Sequence, residues 1–246
     1  MLKIASVTIG MVSTNVYYIY DSETRDAVIV DPAEQAERLI RIAEEQLSVR
    51  ITAVLLTHGH FDHIMAAEEV AAHFSAPIYA AEKERALLSD ADMNHSHIWG
   101  RKKTEIRDFI PLHDGDEIVL LDRRIRVIGT PGHTAGSICY YIPEPEALVS
   151  GQDASEGAQA AGQGAAAAPE RTAAPMLISG DTLFFEGMGR TDLPTGSLRE
   201  IVESIRKKLL VLPPETNVFP GHDETTTIGH EREHNPELIY AERTLR

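Results

Sequence analysis

The stretch that most constrains this chain is Thr57-His58-Gly59-His60-Phe61-Asp62-His63, which places three imidazoles and a carboxylate within six residues. It follows Ile51-Thr52-Ala53-Val54-Leu55-Leu56, an apolar and β-branched run that reads as a buried strand. Gly59 reads as the residue that lets the backbone turn tightly where that strand ends. A strand that stops and at once presents His-x-His-x-Asp-His holds those side chains on a rigid element. Neutral imidazole and carboxylate are the donors that Zn, Mn and Fe accept. A loop whose histidines merely hydrogen-bond gives no reason for three of them in six positions. The pattern points to a metal site, and the fold must bring further donors to it.

Three later turns supply candidates. Thr130-Pro131-Gly132-His133-Thr134 follows a strand ending near Gly129, Ser179-Gly180-Asp181-Thr182 follows another, and Phe219-Pro220-Gly221-His222-Asp223 follows a third. Each alone is a common Gly/Pro turn with a polar residue. Four strand ends that each offer a nitrogen or oxygen donor describe a centre assembled along a sheet edge. The other histidines, His73, His95, His97, His113, His230 and His234, read as exposed or locally satisfied. His95 and His97 fall in residues 89–111, which show no clear period and read equally as a lid or as loosely packed surface.

Composition narrows the partners. The formal charge is −15 over 246 residues, which argues against nucleic acid and against an anionic membrane surface. The single cysteine, Cys139, excludes an internal disulfide and a cysteine cluster, and its place in Ser137–Ile142 suggests a small buried strand residue. No secretory signal and no apolar run near the roughly 20 residues of a membrane span are visible, so the expectation is a cytoplasmic protein.

Strands are expected at Val16–Tyr20, Ala27–Val30, Ile78–Ala80, Glu117–Leu120, Ile125–Ile128, Met176–Ser179 and Asn217–Phe219. Helices are expected over 33–47, 64–74, 82–88 and 197–210. Two groups of strands with helices between them imply an α/β fold of two packed sheets flanked by helices, as one domain over 1–246. Residues 151–174 stand apart: 17 of these 24 are Ala, Gly or Gln, and none is a large apolar residue. That composition predicts a disordered insertion. Its flanking strands read as a hairpin with His133 and Asp181 at the outer ends, which puts the insertion a strand length from the metal donors.

The set His58-x-His60-x-Asp62-His63, His133, Asp181 and His222 resembles the metallo-β-lactamase superfamily over nearly the whole chain outside the insertion. Ser179-Gly180-Asp181-Thr182-Leu183-Phe184 and Gly189-Arg190-Thr191-Asp192-Leu193-Pro194 look like its glyoxalase II-like hydrolase branch. The resemblance implies a four-layer αβ/βα sandwich of two mixed β-sheets flanked by helices. It implies two divalent metal ions, Zn foremost with Fe or Mn as alternatives. His58, His60 and His133 would bind the first, Asp62, His63 and His222 the second, and Asp181 would bridge them. The implied chemistry is hydrolysis of a small-molecule thioester or ester by a metal-bridging hydroxide, with Asp62 and Asp181 as the catalytic carboxylates. Arg190 matches a glutathione-contacting position, and Asp31 an acid that orients a ligand, although before Pro32 it reads equally as a helix cap or turn residue. The branch's C-terminal helical domain has no counterpart in the 24 residues after His222, and Asp192 replaces a tyrosine of its thiol site. The alternatives within the fold are a persulfide dioxygenase with one iron on His58, His133 and Asp181, or a hydrolase of lactones and other esters.

Overall fold

Period-two patterning builds the molecule. In the strand Thr14–Asp21, Val16, Tyr18 and Tyr20 belong to one apolar core and Tyr17 and Ile19 to another. A strand buried on both faces needs a layer on each side. The computed structural model describes residues 1–100, 102–143 and 174–244, and its two six-stranded sheets and two helical layers meet that need.

The first sheet runs in chain order: β1 (Leu2–Ile9), β2 (Thr14–Asp21), β3 (Asp26–Val30), β4 (Arg50–Leu55), β5 (Ile78–Ala81) and β6 (Ile110–Leu112). β1 to β3 pair antiparallel and β3 to β6 parallel, so the sheet is mixed. Parallel pairs need crossovers. These are α1 (Ala36–Arg41), which continues as a π-helical turn over Ile42–Leu47, and α2 (Phe61–Ile64) with α3 (Ala67–Phe74). Leu39, Ile42 and Val70 from those helices pack on Val16, Tyr18, Ile29 and Val54. After β5 comes a 3-10 turn (Glu82–Glu84) and α4 (Arg85–Leu88).

The second sheet contains β7 (Glu117–Leu120), β8 (Arg123–Gly129), β9 (Ile138–Ile142) and β10 (Met176–Gly180). A small hairpin, β11 (Leu183–Phe184) and β12 (Gly187–Met188), precedes α5 (Leu198–Ser204), which continues as a π-helical turn over Ile205–Leu209. β13 (Asn217–Pro220) and β14 (Thr226–Thr227) complete the sheet in the order β14-β13-β10-β9-β8-β7, and α6 (Ile228–His234) and α7 (Pro236–Thr244) end the described chain. Only β10 and β13 pair in parallel, so this sheet is mixed too. Tyr17, Ile19, Val28 and Leu55 of the first sheet meet Val127, Tyr140, Ile178 and Phe219 of the second. On the far face Cys139, Leu177 and Val218 meet Ile201, Ile205, Ile228 and Leu238. This is the expected four-layer αβ/βα sandwich, and Cys139 is the buried strand residue its neighbours implied.

Several boundaries differ from expectation for local reasons. The first helix begins at Ala36 rather than 33, because Asp31 and Gln35 adopt positive φ (49° and 59°) and keep the chain non-helical between them. The helix expected over 64–74 begins at Ala67, after the separate short α2 ends at Ile64 and Ala66 N donates to Pro32 O. The aperiodic segment 89–111 holds a buried Ile106 and runs into the short strand β6. Its base is tied by Asn94 and Ser96 to Thr104, while Ile98 and Trp99 at its tip are exposed. β14, α6 and α7 had no strong sequence signal, whereas β1 lies within the first thirty residues, which read as strands. β9 and β10 pair antiparallel with Ile142 opposite Met176, so the chain leaves and re-enters at the end remote from Ser137 and Gly180. The predicted disordered insertion lies, but for Ala174, outside the described residues. Among the described residues no helix is long and apolar enough to cross a membrane.

Candidate metal centre

Five strands end at one edge of the paired sheets and each hands over a donor there: Asp31 after β3, the His58–His63 run after β4, His133 after β8, Asp181 after β10 and His222 after β13. His58, His60, His63 and His133 are buried, whereas Asp62, Asp181 and His222 retain some exposure, so the cluster opens to solvent on the carboxylate side. Ring or carboxylate atoms of His58, His60 and His133 lie within 4.8 Å of one another, and those of Asp62, His63 and His222 form a second such group. Asp181 stands between them. Its Oδ2 is 3.6 Å from His133 Nε2 and 3.4 Å from His222 Nε2, and its Oδ1 is 3.3 Å from His63 Nε2. The seven residues singled out by the sequence therefore meet.

The outer hydrogen bonds decide which nitrogen each ring presents. His63 Nδ1 faces Asp31 Oδ2 at 2.9 Å, His133 Nδ1 the Arg190 carbonyl at 2.8 Å, and His222 Nδ1 the Val12 carbonyl at 3.1 Å. An oxygen acceptor there fixes the proton on Nδ1 and leaves Nε2 as the inward donor. His58 is held the same way: Thr57 Oγ1 donates to Asp31 Oδ2 at 2.6 Å and so accepts from His58 Nδ1 at 3.1 Å. His60 is turned over, its Nδ1 lying 2.8 Å from His133 Nε2, which is itself 3.2 Å from His58 Nε2. With the protons of His58 and His133 held on Nδ1, their two Nε2 lone pairs face each other at 3.2 Å and repel unless a cation lies among them. His60 Nε2, His63 Nε2 and Asp181 Oδ1 are buried with no hydrogen-bond partner. These inward-facing nitrogens and carboxylates fit divalent cations, and the N/O set suits Zn, Fe and Mn.

Charge divides the site. Burial pushes His58 well below its usual range, His60 to about 3, and His133 down as well, so this half is neutral and carries no proton for a metal to displace. In the other half burial pulls His63 and His222 down too, but carboxylates outweigh it. Asp181, Asp62 and Asp31 raise His63 well above its ordinary value, and hydrogen bonds to Asp181 and Asp62 raise His222 to about 10. Burial opposes ionisation of Asp62 and Asp181, yet His63 and His222 hold both well below the carboxylate range. Stability from the raised histidines is present in full below their ordinary 6.5 and is lost as pH rises toward 10. Stability from the lowered carboxylates is present above their ordinary 3.8 and is lost as pH falls below it. The lowered His58, His60 and His133 work the other way and cost stability as pH falls below 6.5, so metal-free protein should show its highest melting temperature near 6.5 and a decline on the alkaline side. With Zn²⁺ bound the cation replaces those protons, and thermal scans across pH should show the alkaline decline suppressed.

Asp31 does not cap a helix: the residue before α1 is Gln35, and it makes no side-chain cap. The Asp31 carboxylate, 2 % exposed, accepts from Thr57 N and Thr57 Oγ1 and meets His63 Nδ1, so it orients His63 directly and His58 through Thr57. Arg190 lies at the surface, its guanidinium paired with Asp192 at 2.7 Å, and it is the Arg190 carbonyl that touches the centre, through His133. His95 stacks obliquely 6.1 Å from the His60 ring, whereas His97 pairs with Asp92 at the surface. His73, His113 and His230 pair with Glu44, Asp116 and Glu186, and His234 stacks on His230. Glu84 was missed by sequence reasoning. It sits in Glu82-Lys83-Glu84-Arg85, which looks like a solvated helix face, yet it is 1 % exposed and bound to both histidine loops.

Comparison with known proteins agrees with this geometry. The sequence profile of the metallo-β-lactamase superfamily matches residues 9–154. The crystal structure of BLEG-1 B3 metallo-β-lactamase superposes with a TM-score of 0.77 at 34 % identity, covering 96 % of this chain and 99 % of that one. A di-iron-bound form of TTHA1623 superposes with a TM-score of 0.72 at 29 % identity, covering 94 % and 98 %. Hydroxyacylglutathione hydrolase GloC of Haemophilus influenzae is 30 % identical over 241 residues, which are 96 % of this chain and 98 % of that protein. With its paired mixed sheets, its donors at five strand ends and a profile match over more than half its length, the chain belongs to the metallo-β-lactamase superfamily.

Proposed function

We propose that this chain is a dinuclear metal-dependent hydrolase of small thioesters of the S-lactoylglutathione type. The observation that carries the reading is Asp181, whose carboxylate lies within 3.6 Å of ring nitrogens from both donor groups. His58, His60 and His133 would hold one ion, Asp62, His63 and His222 the other, and Asp181 both. Zn is the first choice for such a donor set, and the di-iron relative supports two metals and keeps Fe open. Divalent cations there would lower the pKa of water into the neutral range and polarise an acyl carbonyl. The ionised carboxylates of Asp62 and Asp181, on the open side of the cluster, orient the O–H of the attacking water. Thr14 Oγ1, donating to Asp62 Oδ2 at 3.4 Å, holds the first of these in place. Cys139 takes no part, since burial pushes its thiol to about 11 and keeps it from solvent.

The GloC relative supports a thioester substrate. Arg190 is assigned to the anionic thiol half of the substrate, for which its guanidinium must leave Asp192. Arg190→Ala should then raise KM about fivefold with kcat unchanged, the size of one exposed ion pair. The reading is tested by following thiol release from S-lactoylglutathione with protein whose metals have been counted. Turnover with two metals per chain is the expected result. Two metals with no turnover would move the substrate to other esters, lactones or β-lactams. One iron with oxygen uptake on a persulfide would overturn the hydrolase.

A further inference from the structure

We infer that Glu84 is a positioning residue for one half of the centre, a buried carboxylate clamp that sets the three histidines of the first metal site and leaves the second site alone. The inference rests on the two-site reading proposed above. Glu84 lies in the 3-10 turn that follows β5, far in sequence from every donor, and its side chain is buried. Its Oε2 accepts from Gly59 N at 2.7 Å. Its Oε1 accepts from Gly136 N and from Thr134 Oγ1, both at 2.8 Å. Gly59 lies between His58 and His60, and Thr134 and Gly136 follow His133. Thus one carboxylate ties together the two loops that carry the three inward-facing imidazoles. The Gly59 loop runs on to Asp62 and His63, but these two, like Asp181 and His222, have partners of their own.

The glycines show that the clamp is built in. Gly59 and Gly136 do not have positive φ, so a tight turn does not require them. A Cβ on Gly59 would lie 3.1 Å from Glu84 Oε2, and one on Gly136 would lie 2.5 Å from Glu84 Oε1. Both positions lack a side chain because the Glu84 turn occupies the space, its carboxylate together with Leu87 at Gly59 and with the Lys83–Glu84 backbone at Gly136. This revises the reason for Gly59 in the His-x-His motif. The hydrogen bonding fits the role as well: two backbone N–H groups and a hydroxyl point at the carboxylate oxygens, and they oppose the burial that raises the pKa of this group. The three buried donors would be costly to leave unmatched. By spanning two loops that are separated by more than seventy residues, Glu84 fixes how close the His58/His60 pair comes to His133.

Glu84→Gln keeps the size of the side chain and spoils the clamp. Whichever way the amide is turned, its NH₂ faces an N–H of Gly59 or Gly136, so one histidine loop is released. The test is titration of metal-free protein with Zn²⁺, with assigned imidazole ¹⁵N resonances reporting each site. In the variant Zn²⁺ should bind His58, His60 and His133 about 10- to 100-fold more weakly, with affinity at His63 and His222 within about twofold of wild type. A residue that merely supported the fold would lower the melting temperature and weaken both sites together, and that result would overturn the inference, as would an unchanged first site. If Glu84→Gln does not fold, Thr134→Val removes one of the three bonds, and it should weaken the same site by a few-fold with the second site unchanged. Equal behaviour of both sites there would sink the clamp. Wild-type protein that takes no Zn²⁺ at His58, His60 and His133 would instead refute the two-site reading itself.

Discussion

Asp181→Ala is expected to lower kcat/KM by on the order of 10³-fold or more and to cost the protein its second metal. The scale is set by the 10² to 10³ lost when a single preorganised electrostatic partner of a transition state is removed. Here the missing carboxylate stands between both donor groups and lies against His63, His133 and His222 at once. Replacing it leaves the Asp62, His63 and His222 group with one carboxylate for a divalent cation, and the two halves no longer share a donor. Metal analysis after dialysis against a mild chelator, run beside the rate measurement, gives the decisive comparison. A variant that keeps two tightly bound ions would refute the bridging role, even if its rate fell. The same substitution has a second signature in the metal-free protein. Asp181 is a main support of the raised His222 and His63, so without it both should titrate lower. The alkaline decline in melting temperature should then still begin near 6.5 but be smaller and end at lower pH.

Gly221→Ala should be nearly as damaging, although it removes no functional atom. Gly221 lies directly before His222, with its N–H on the Gly180 carbonyl at 2.9 Å and its carbonyl accepting from Asn15 N at 2.7 Å. Both bonds fix the backbone where β10 and β13 end, so it cannot retreat. A Cβ there would lie 2.2 Å from Asp181 Oδ1 and 2.7 Å from His63 Cε1. One methyl group must therefore displace two donors by about an ångström. Misplacement of that size costs on the order of 10²-fold in rate. Weaker metal binding at the second site should accompany it, while metal-free protein keeps its near-ultraviolet circular dichroism. Wild-type activity in this variant would mean that Asp181 does not sit as close to the His222 loop as the structure shows.

The two substitutions separate what was legible in the sequence from what was not. Asp181 was legible because donor chemistry is a property of residue type, and the turn Ser179-Gly180-Asp181-Thr182 announces itself at a strand end. Gly221 was legible only as a turn residue. That its missing side chain makes room for Asp181 depends on β10 and β13 lying side by side, a pairing between segments about forty residues apart. The same holds for the fold. The continuous apolar runs of β2 and β4 predicted buried strands, and two groups of strands with helices between them predicted the layered architecture. β6 and β14, three and two residues long, carry too few side chains for a period to show. The single helix expected over 64–74 looked continuous because its apolar spacing is continuous. Its later start, at Ala67, comes with a hydrogen bond from Ala66 to Pro32, which local pattern does not contain.

By itself, the sequence determined which atoms are offered: His58, His60, Asp62 and His63 on one turn, and His133, Asp181 and His222 on three others. It determined as well that these turns end strands, because hydrophobic period and turn chemistry are local. Only the tertiary structure decided how the offered atoms are presented. Asp31, the Arg190 carbonyl and the Val12 carbonyl select the ring nitrogen that faces inward, and Glu84 sets the spacing of the histidine loops. A hydrogen-bond partner is chosen by proximity in space, and for these residues proximity arises only when the two sheets close on one another.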